Sequence, residues 1–331
     1  MFQTEPILFL QGISSDLLLQ VMLLVNTLGR PVTGILLAVI LLHVDLKRGF
    51  VLLHMLVVTA IITEFLKDYM ALPRPIFVDA SIQFLDQQKV NTTPLIGMGA
   101  ESFLAALPQP AIDFCRANFA GRWGLPSGHV SATVALWITL AMLYRKSWLW
   151  FTAGLLIPGV ALARMYFGKH FLADVLAGIL VGIVVTLVAY IVVLRPSRFS
   201  RFLATGRRRA GALGHELLYY AYLIVLPVGL LSASFGESIG VACLLGGNIG
   251  FIVLRAYGQD VAVQGFRQHL ARGIAGILVL GVLYLAAIAP GWLSARIGTA
   301  GELMLLAVLC FALIVSAALV DKLFNRSSIG A

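Results

Sequence analysis

Apolar runs of about 20 residues, the length a helix needs to cross a bilayer, alternate with short basic breaks along most of the chain. The first 26 residues are the exception. Gln11, Ser14, Ser15, Asp16, Gln20 and Asn26 interrupt residues 5–26, a mixture that suits a helix lying in the membrane interface. The first clear span covers about Thr33 to Val44, with an earlier start through Leu28 and Pro31 left open, and ends in Asp45-Leu46-Lys47-Arg48. The second runs from about Phe50 to Tyr69, after which Pro73 and Pro75 stop the helix. Further spans are predicted at about Val130 to Tyr144, Trp148 to Phe167 and Phe171 to Leu194, then at His215 to Phe235, Ser238 to Leu254, Ile274 to Ala289 and Leu303 to Val320. The pattern predicts an all-α, polytopic helical membrane protein of about nine transmembrane helices, a helix bundle followed by four extra C-terminal spans.

The predicted organisation is an interfacial N-terminal helix (1–26), a membrane core (27–195), a basic cytoplasmic connector (196–212) and a four-span C-terminal region (213–331). Within the core, residues 76–125 form a loop rich in Gly, Pro and Asn, and so long a loop in a compact protein is usually functional. Its short apolar patches, Ser102 to Leu107 and Ile112 to Phe114, are suited to docking on the bilayer or covering a site. The Asn91-Thr92-Thr93 sequon is too short a pattern to carry weight.

Composition agrees with a membrane solvent. The chain has 331 residues, 60% hydrophobic and 12% charged, with mean hydropathy +0.95; a soluble domain carries about twice that charged fraction. A net charge of +9 would elsewhere suggest nucleic acid. Here the cations fall in loops: Lys47 and Arg48, Arg145 and Lys146, the connector with Arg207-Arg208-Arg209, then Arg255, Arg267 and Arg272, and Lys322 and Arg326. With nine alternating spans all lie on one side, which is cytoplasmic. No nucleic-acid partner is implied; the bilayer is the partner. The N-terminus is placed outside and the C-terminus inside. Cys115, Cys243 and Cys310 are too scattered for a disulfide framework or metal site, and residues 1–6, lacking a basic n-region, read as part of the mature protein.

That orientation brings three motifs to the outer face: Lys67 with Arg74-Pro75, Pro126-Ser127-Gly128-His129, and Arg164 with His170 and Asp174. Polar groups at membrane depth are expensive, so these are site candidates. His170 and Asp174 are spaced i, i+4; on one helix face the carboxylate holds an imidazole N–H and fixes the tautomer, leaving the other nitrogen to attack. Lys67, Arg74 and Arg164 supply the cations a dianionic phosphate ester needs. Ser127-Gly128 opening a helix offers backbone N–H groups and a favourable dipole. His129 and His170, on different helix ends, can divide the roles of acid and nucleophile.

Together the three motifs resemble the type 2 phosphatidic acid phosphatase superfamily, over roughly residues 20–195. The resemblance implies that His170 is the nucleophile, forming a phosphohistidine, and that Asp174 orients it. It implies that His129 is the general acid, and that Lys67, Arg74, Ser127, Gly128 and Arg164 bind the phosphate oxygens. No metal or other cofactor is implied. Where the family has serine before its arginine this chain has Ala163, so one phosphate hydrogen bond is missing or comes from another position.

The expected activity is hydrolysis of a lipid phosphate or diphosphate (phosphatidate, phosphatidylglycerophosphate, polyprenyl or sphingoid type) by a phosphoric monoester hydrolase. The expected location is the bacterial cytoplasmic (inner) membrane, with the site facing the periplasm or outside. A glucose-6-phosphatase-like hydrolase of a soluble sugar phosphate and a lipid phosphotransferase use the same residues. A transporter or scaffold is the non-enzyme alternative, favoured by Gly246, Gly247, Gly250 and Pro227 in the last spans and opposed by how little buried charge they hold. His43, His54, His215 and His269 are read as structural, Glu64 as a partner of Lys67, Asp68 as solvated, and Lys169 as facing substrate or headgroups.

Overall fold

The computed structural model describes residues 1–87, 89–192, 213–232, 238–256, 266–288 and 291–326. The connector at 196–212 lies outside them. Among the described residues the regular secondary structure is all helical, with one isolated β-bridge between Phe84 and Lys89 and no strand. Five helices are long and apolar enough to cross a membrane, or six if one bent pair counts as a span. The nine crossings expected from the apolar pattern are therefore not reached among the described residues. Helix Gly128–Tyr144 and the apolar stretch Leu217–Leu231 fall short of the length required.

The chain divides into two compact units, Met1–Gly34 with Ile62–Thr186, and Ile35–Ile61 with Leu187–Ala331. In place of one interfacial helix, the N-terminus folds as α1 (Glu5–Gly12) and α2 (Asp16–Leu28). Ser15 caps the second, its hydroxyl accepting the Leu18 N–H at 3.3 Å. Helix α3 (Pro31–Val44) follows, with proline at its first position where no N–H is needed. Then come α4 (Leu46–Met70), α5 (Pro75–Val78), α6 (Gln109–Asn118), α7 (Gly128–Tyr144), α8 (Ser147–Tyr166) and α9 (Leu172–Val192). Gly178 and Gly182, one turn apart on α9, let it lie directly on α7. A Cβ at Gly178 would stand 2.7 Å from the Ser127 carbonyl oxygen, and one at Gly182 2.6 Å from Val134.

The long segment after α5 is folded into the first unit. Ile76, Phe77, Val78 and Ile82 share a buried core with Leu107, Ala111, Ile112 and Cys115, and with Val130, Phe171 and Val175 from the helices that carry the candidate motifs. At about 25 cal/mol per Å² of apolar surface, this core makes the segment part of the scaffold. Asn91 secures its backbone: the side-chain amide donates to the carbonyls of Ile76, Asp79 and Ile82 at 2.9, 3.0 and 3.0 Å. The sequon asparagine is thus occupied in holding the fold. Of the two apolar patches, Ile112 is buried whereas Phe103 and Leu104 are exposed.

In the second unit two of the four histidines read as structural are buried and bonded. His43 meets the Val39 carbonyl at 2.9 Å and the Ser316 hydroxyl at 3.0 Å. His54 lies between the Asn248 amide oxygen and the Tyr222 hydroxyl, each at 3.0 Å, with Tyr222 on a π-helical turn, Ala221–Val225. A buried donor or acceptor left unmatched would cost about 1–3 kcal/mol, which explains why these polar residues cluster.

Candidate active site

Every residue singled out in the three motifs falls in the first unit, at helix ends. Lys67 stands in the last turn of α4, where it ion-pairs with Glu64 as the spacing suggested. Asp68 is exposed. Arg74 precedes α5 in extended backbone, and Pro75 locks the first helical position. Its Nε donates to the Trp123 carbonyl at 3.1 Å. Ser127 precedes α7, whose first residues are Gly128 and His129. Arg164 ends α8, His170 lies in the turn that follows, and Asp174 stands in the first turn of α9. Gly168 makes the turn between α8 and α9 possible, with φ +65°, a conformation open to glycine at no steric cost.

Direct contacts bring these ends together. The Ser127 N–H donates to the Asp174 carbonyl at 2.9 Å, joining the start of α7 to the start of α9. A Cβ added to Gly128 would stand 3.3 Å from Lys67 Nζ, so the ammonium lies against the opening of α7. Asp174 Oδ2 takes the Phe171 N–H at 3.0 Å and faces His170 Nδ1 at 3.3 Å. The first contact is a backbone-anchored cap on α9; it fixes the carboxylate that addresses the imidazole. An acceptor facing Nδ1 favours the tautomer with the proton there and the lone pair on Nε2. Among the described residues Nε2 has no hydrogen-bond partner.

His170 is 2% exposed. Burial, followed by the charges of Arg164, Arg74 and Lys67, holds its pKa well below the ordinary imidazole value. These causes favour the neutral form of the imidazole. His129 belongs to the same field, close enough to contribute to that of His170, and is half-buried. Ser127 Oγ and Arg164 Nε are buried without hydrogen-bond partners among the described residues. Both are donors left unmatched by the protein's own acceptors among those residues.

Several contacts around the site had no signal in the sequence. Asn26 of α2 accepts Arg164 Nη1 at 2.9 Å. Gly124 lies against Asp174, where a Cβ would stand 2.8 Å from Oδ2. Lys169 is buried, 3.2 Å from Asp86 and over the Phe84 ring. Burial lowers the Lys169 ammonium pKa and Asp86 opposes the shift. Gln11 of α1 clips the turn from outside, donating to the Tyr166 and Gln83 carbonyls at 2.9 and 3.0 Å. Ala163 belongs to an apolar cluster with Tyr166 and Phe167, packed by Leu18, Leu19, Met22 and Leu23. None of these contacts has a local sequence signal except the polarity of Gln11 and Asn26 within an otherwise apolar stretch.

A helical protein with membrane-length apolar helices, carrying a buried His–Asp pair on which the charges of Arg164, Arg74 and Lys67 act, has the make-up of a helical membrane protein. More narrowly, residues 48–198 match the PAP2 superfamily, and this segment is identified with that superfamily, whose members are generally phosphatases. No curated protein and no solved structure matches the chain.

Proposed function

We propose that the protein is an integral membrane phosphatase that hydrolyses a lipid phosphate or diphosphate through a phosphohistidine intermediate. The observation that carries the reading is the His170 Nδ1 to Asp174 Oδ2 contact of 3.3 Å, made where Arg164, Arg74 and Lys67 all act on the imidazole. In the first half-reaction His170 Nε2 attacks phosphorus. The N–P bond forms, the P–O bond to the leaving group breaks, and His129 gives its proton to the departing oxygen. In the second, His129 removes a proton from water, the water oxygen attacks phosphorus, and the P–N bond breaks to release inorganic phosphate. Asp174 holds Nδ1–H throughout and offsets the positive charge on the phosphorylated ring. Lys67, Arg74, Arg164, Ser127 and the Gly128 backbone bind the non-bridging oxygens, whose charge is most concentrated in the transition state.

The proposal includes the topology read from the charge pattern. The chain crosses nine times with its N-terminus outside, in the bacterial cytoplasmic membrane, and the site opens toward the periplasm. Phosphatidate, phosphatidylglycerophosphate, a polyprenyl phosphate or diphosphate and a sphingoid phosphate all suit a site at a membrane surface, where the chains remain in the bilayer. Phosphate release by the purified full-length protein from these lipids and from glucose 6-phosphate is the test. Release from a lipid, lost almost completely in His170→Ala, is expected. Preference for the sugar phosphate would replace the lipid reading. Undiminished release by His170→Ala would overturn the mechanism.

A further inference from the structure

Arg164 is a guanidinium only 6% exposed, and a buried cation must be held by acceptors to keep its geometry. One acceptor comes from outside the family-matched segment. Asn26, 4% exposed, receives Nη1 at 2.9 Å. We propose that Asn26 is a positioning residue for anion binding, which fixes one arm of the Arg164 fork so that the remaining donors face the bound phosphate. The inference rests on the reading of this site as a phosphate site.

Three observations converge on it. The first is chemical: an amide oxygen is a neutral acceptor, so it fixes the guanidinium without cancelling its charge, as a carboxylate would. The second is the register of α2. Met22, Leu23 and Val25 pack on the Ala163, Tyr166 and Phe167 cluster, and a Cβ at Gly29 would stand 2.6 Å from Val160. This packing pins α2 against α8 and leaves Asn26 facing Arg164. A lone asparagine on an otherwise apolar contact costs stability unless it is bonded, and its bond is to Arg164. The third is the state of the guanidinium. Its Nε is buried with no partner among the described residues, so a donor remains for a ligand once Nη1 is occupied. The polar support for Arg164 therefore comes from α2, while the neighbouring position 163 packs against apolar residues of that same helix.

A double-mutant cycle on the full-length protein in detergent tests the assignment, with orthovanadate binding measured by thermal stabilisation and, separately, kcat and KM for phosphate release. Asn26→Ala is expected to weaken vanadate binding roughly tenfold, the scale of one charge-assisted hydrogen bond. Asn26→Asp keeps the side-chain shape but neutralises Arg164, and is expected to weaken vanadate binding at least as much. In an Arg164→Ala background, Asn26→Ala is expected to cause no further loss. Equal losses from Asn26→Ala in both backgrounds, or wild-type vanadate affinity in Asn26→Asp, would show that Asn26 only packs α2. Wild-type protein that binds no vanadate overturns the phosphate reading and this inference together, whereas binding with additive losses overturns the role of Asn26 alone.

Discussion

Gly124 stands in front of the Asp174 carboxylate that faces His170, and replacing it with alanine is a test of how tightly that carboxylate must be placed. The new Cβ would lie 2.8 Å from Asp174 Oδ2 and 3.1 Å from the Pro73 carbonyl oxygen. Reaching the 3.4 Å of ordinary van der Waals contact requires Oδ2 to retreat by about 0.6 Å. Asp174 is fully buried and its Oδ2 already serves Phe171 N–H and His170 Nδ1, so the carboxylate cannot move without lengthening one of the two. Misplacement by about 1 Å costs on the order of a hundredfold in rate. A retreat of this size therefore predicts about a tenfold fall in kcat, or ~1.4 kcal/mol on the barrier. Vanadate affinity should change much less, because Gly124 touches the orienting carboxylate. The assay is phosphate release at saturating substrate. Gly154→Ala on α8, where a Cβ meets nothing within 4 Å, is the control. Gly124→Ala with wild-type kcat would refute the claim that Asp174 must hold its position.

Two other outcomes follow from the same geometry. Arg74 is one of the charges that depress the His170 pKa, so Arg74→Gln makes the protonated imidazole less unfavourable. The acidic limb of kcat/KM should then move to higher pH, in addition to the weaker anion binding; an unmoved limb would show that His170 is not the titrating group. The linkage runs in the same sense. Because the folded pKa of His170 lies below 6.5, the unfolded chain binds the proton first, and the group's contribution to stability is lost as pH falls below 6.5. In the second unit, His54→Leu strands the Asn248 amide oxygen and the Tyr222 hydroxyl, which predicts a loss of roughly 2–4 kcal/mol in stability. The kcat of protein that remains folded should be unchanged; a selective loss of kcat would assign His54 a role in the chemistry.

The parts of the site legible in the sequence were those with short-range spacing. His170 and Asp174 four residues apart, and Lys67 three after Glu64, follow from helix periodicity. Arg74 before a proline and Ser127-Gly128 before an apolar run mark helix starts. The partners that fix these groups come from far along the chain. Asn26 is 138 residues from Arg164, and Gly124 meets Asp174 only because the backbones at Leu72 and Ser127 are stitched to their neighbours. Segment 76–125 read as a loop because α5 and α6 are short and its order comes from packing and from Asn91, which have no periodic signal. The crossing count was the least legible feature, since an apolar run does not fix helix length: α7 has 17 residues and α4 has 25.

The first unit is assembled from two stretches of chain, Met1–Gly34 and Ile62–Thr186, and this sets a schedule during synthesis. Asn26 emerges well before Arg164 exists. At about 5–20 residues per second, the ribosome needs on the order of ten seconds to make the intervening chain. For that interval α1 and α2 present Gln11, Asn26 and the apolar flank of Met22 and Leu23 to the surroundings without their eventual partners. Slowing translation between α2 and α8 would lengthen that exposure, whereas a circular permutant that placed α2 after α9 would abolish it.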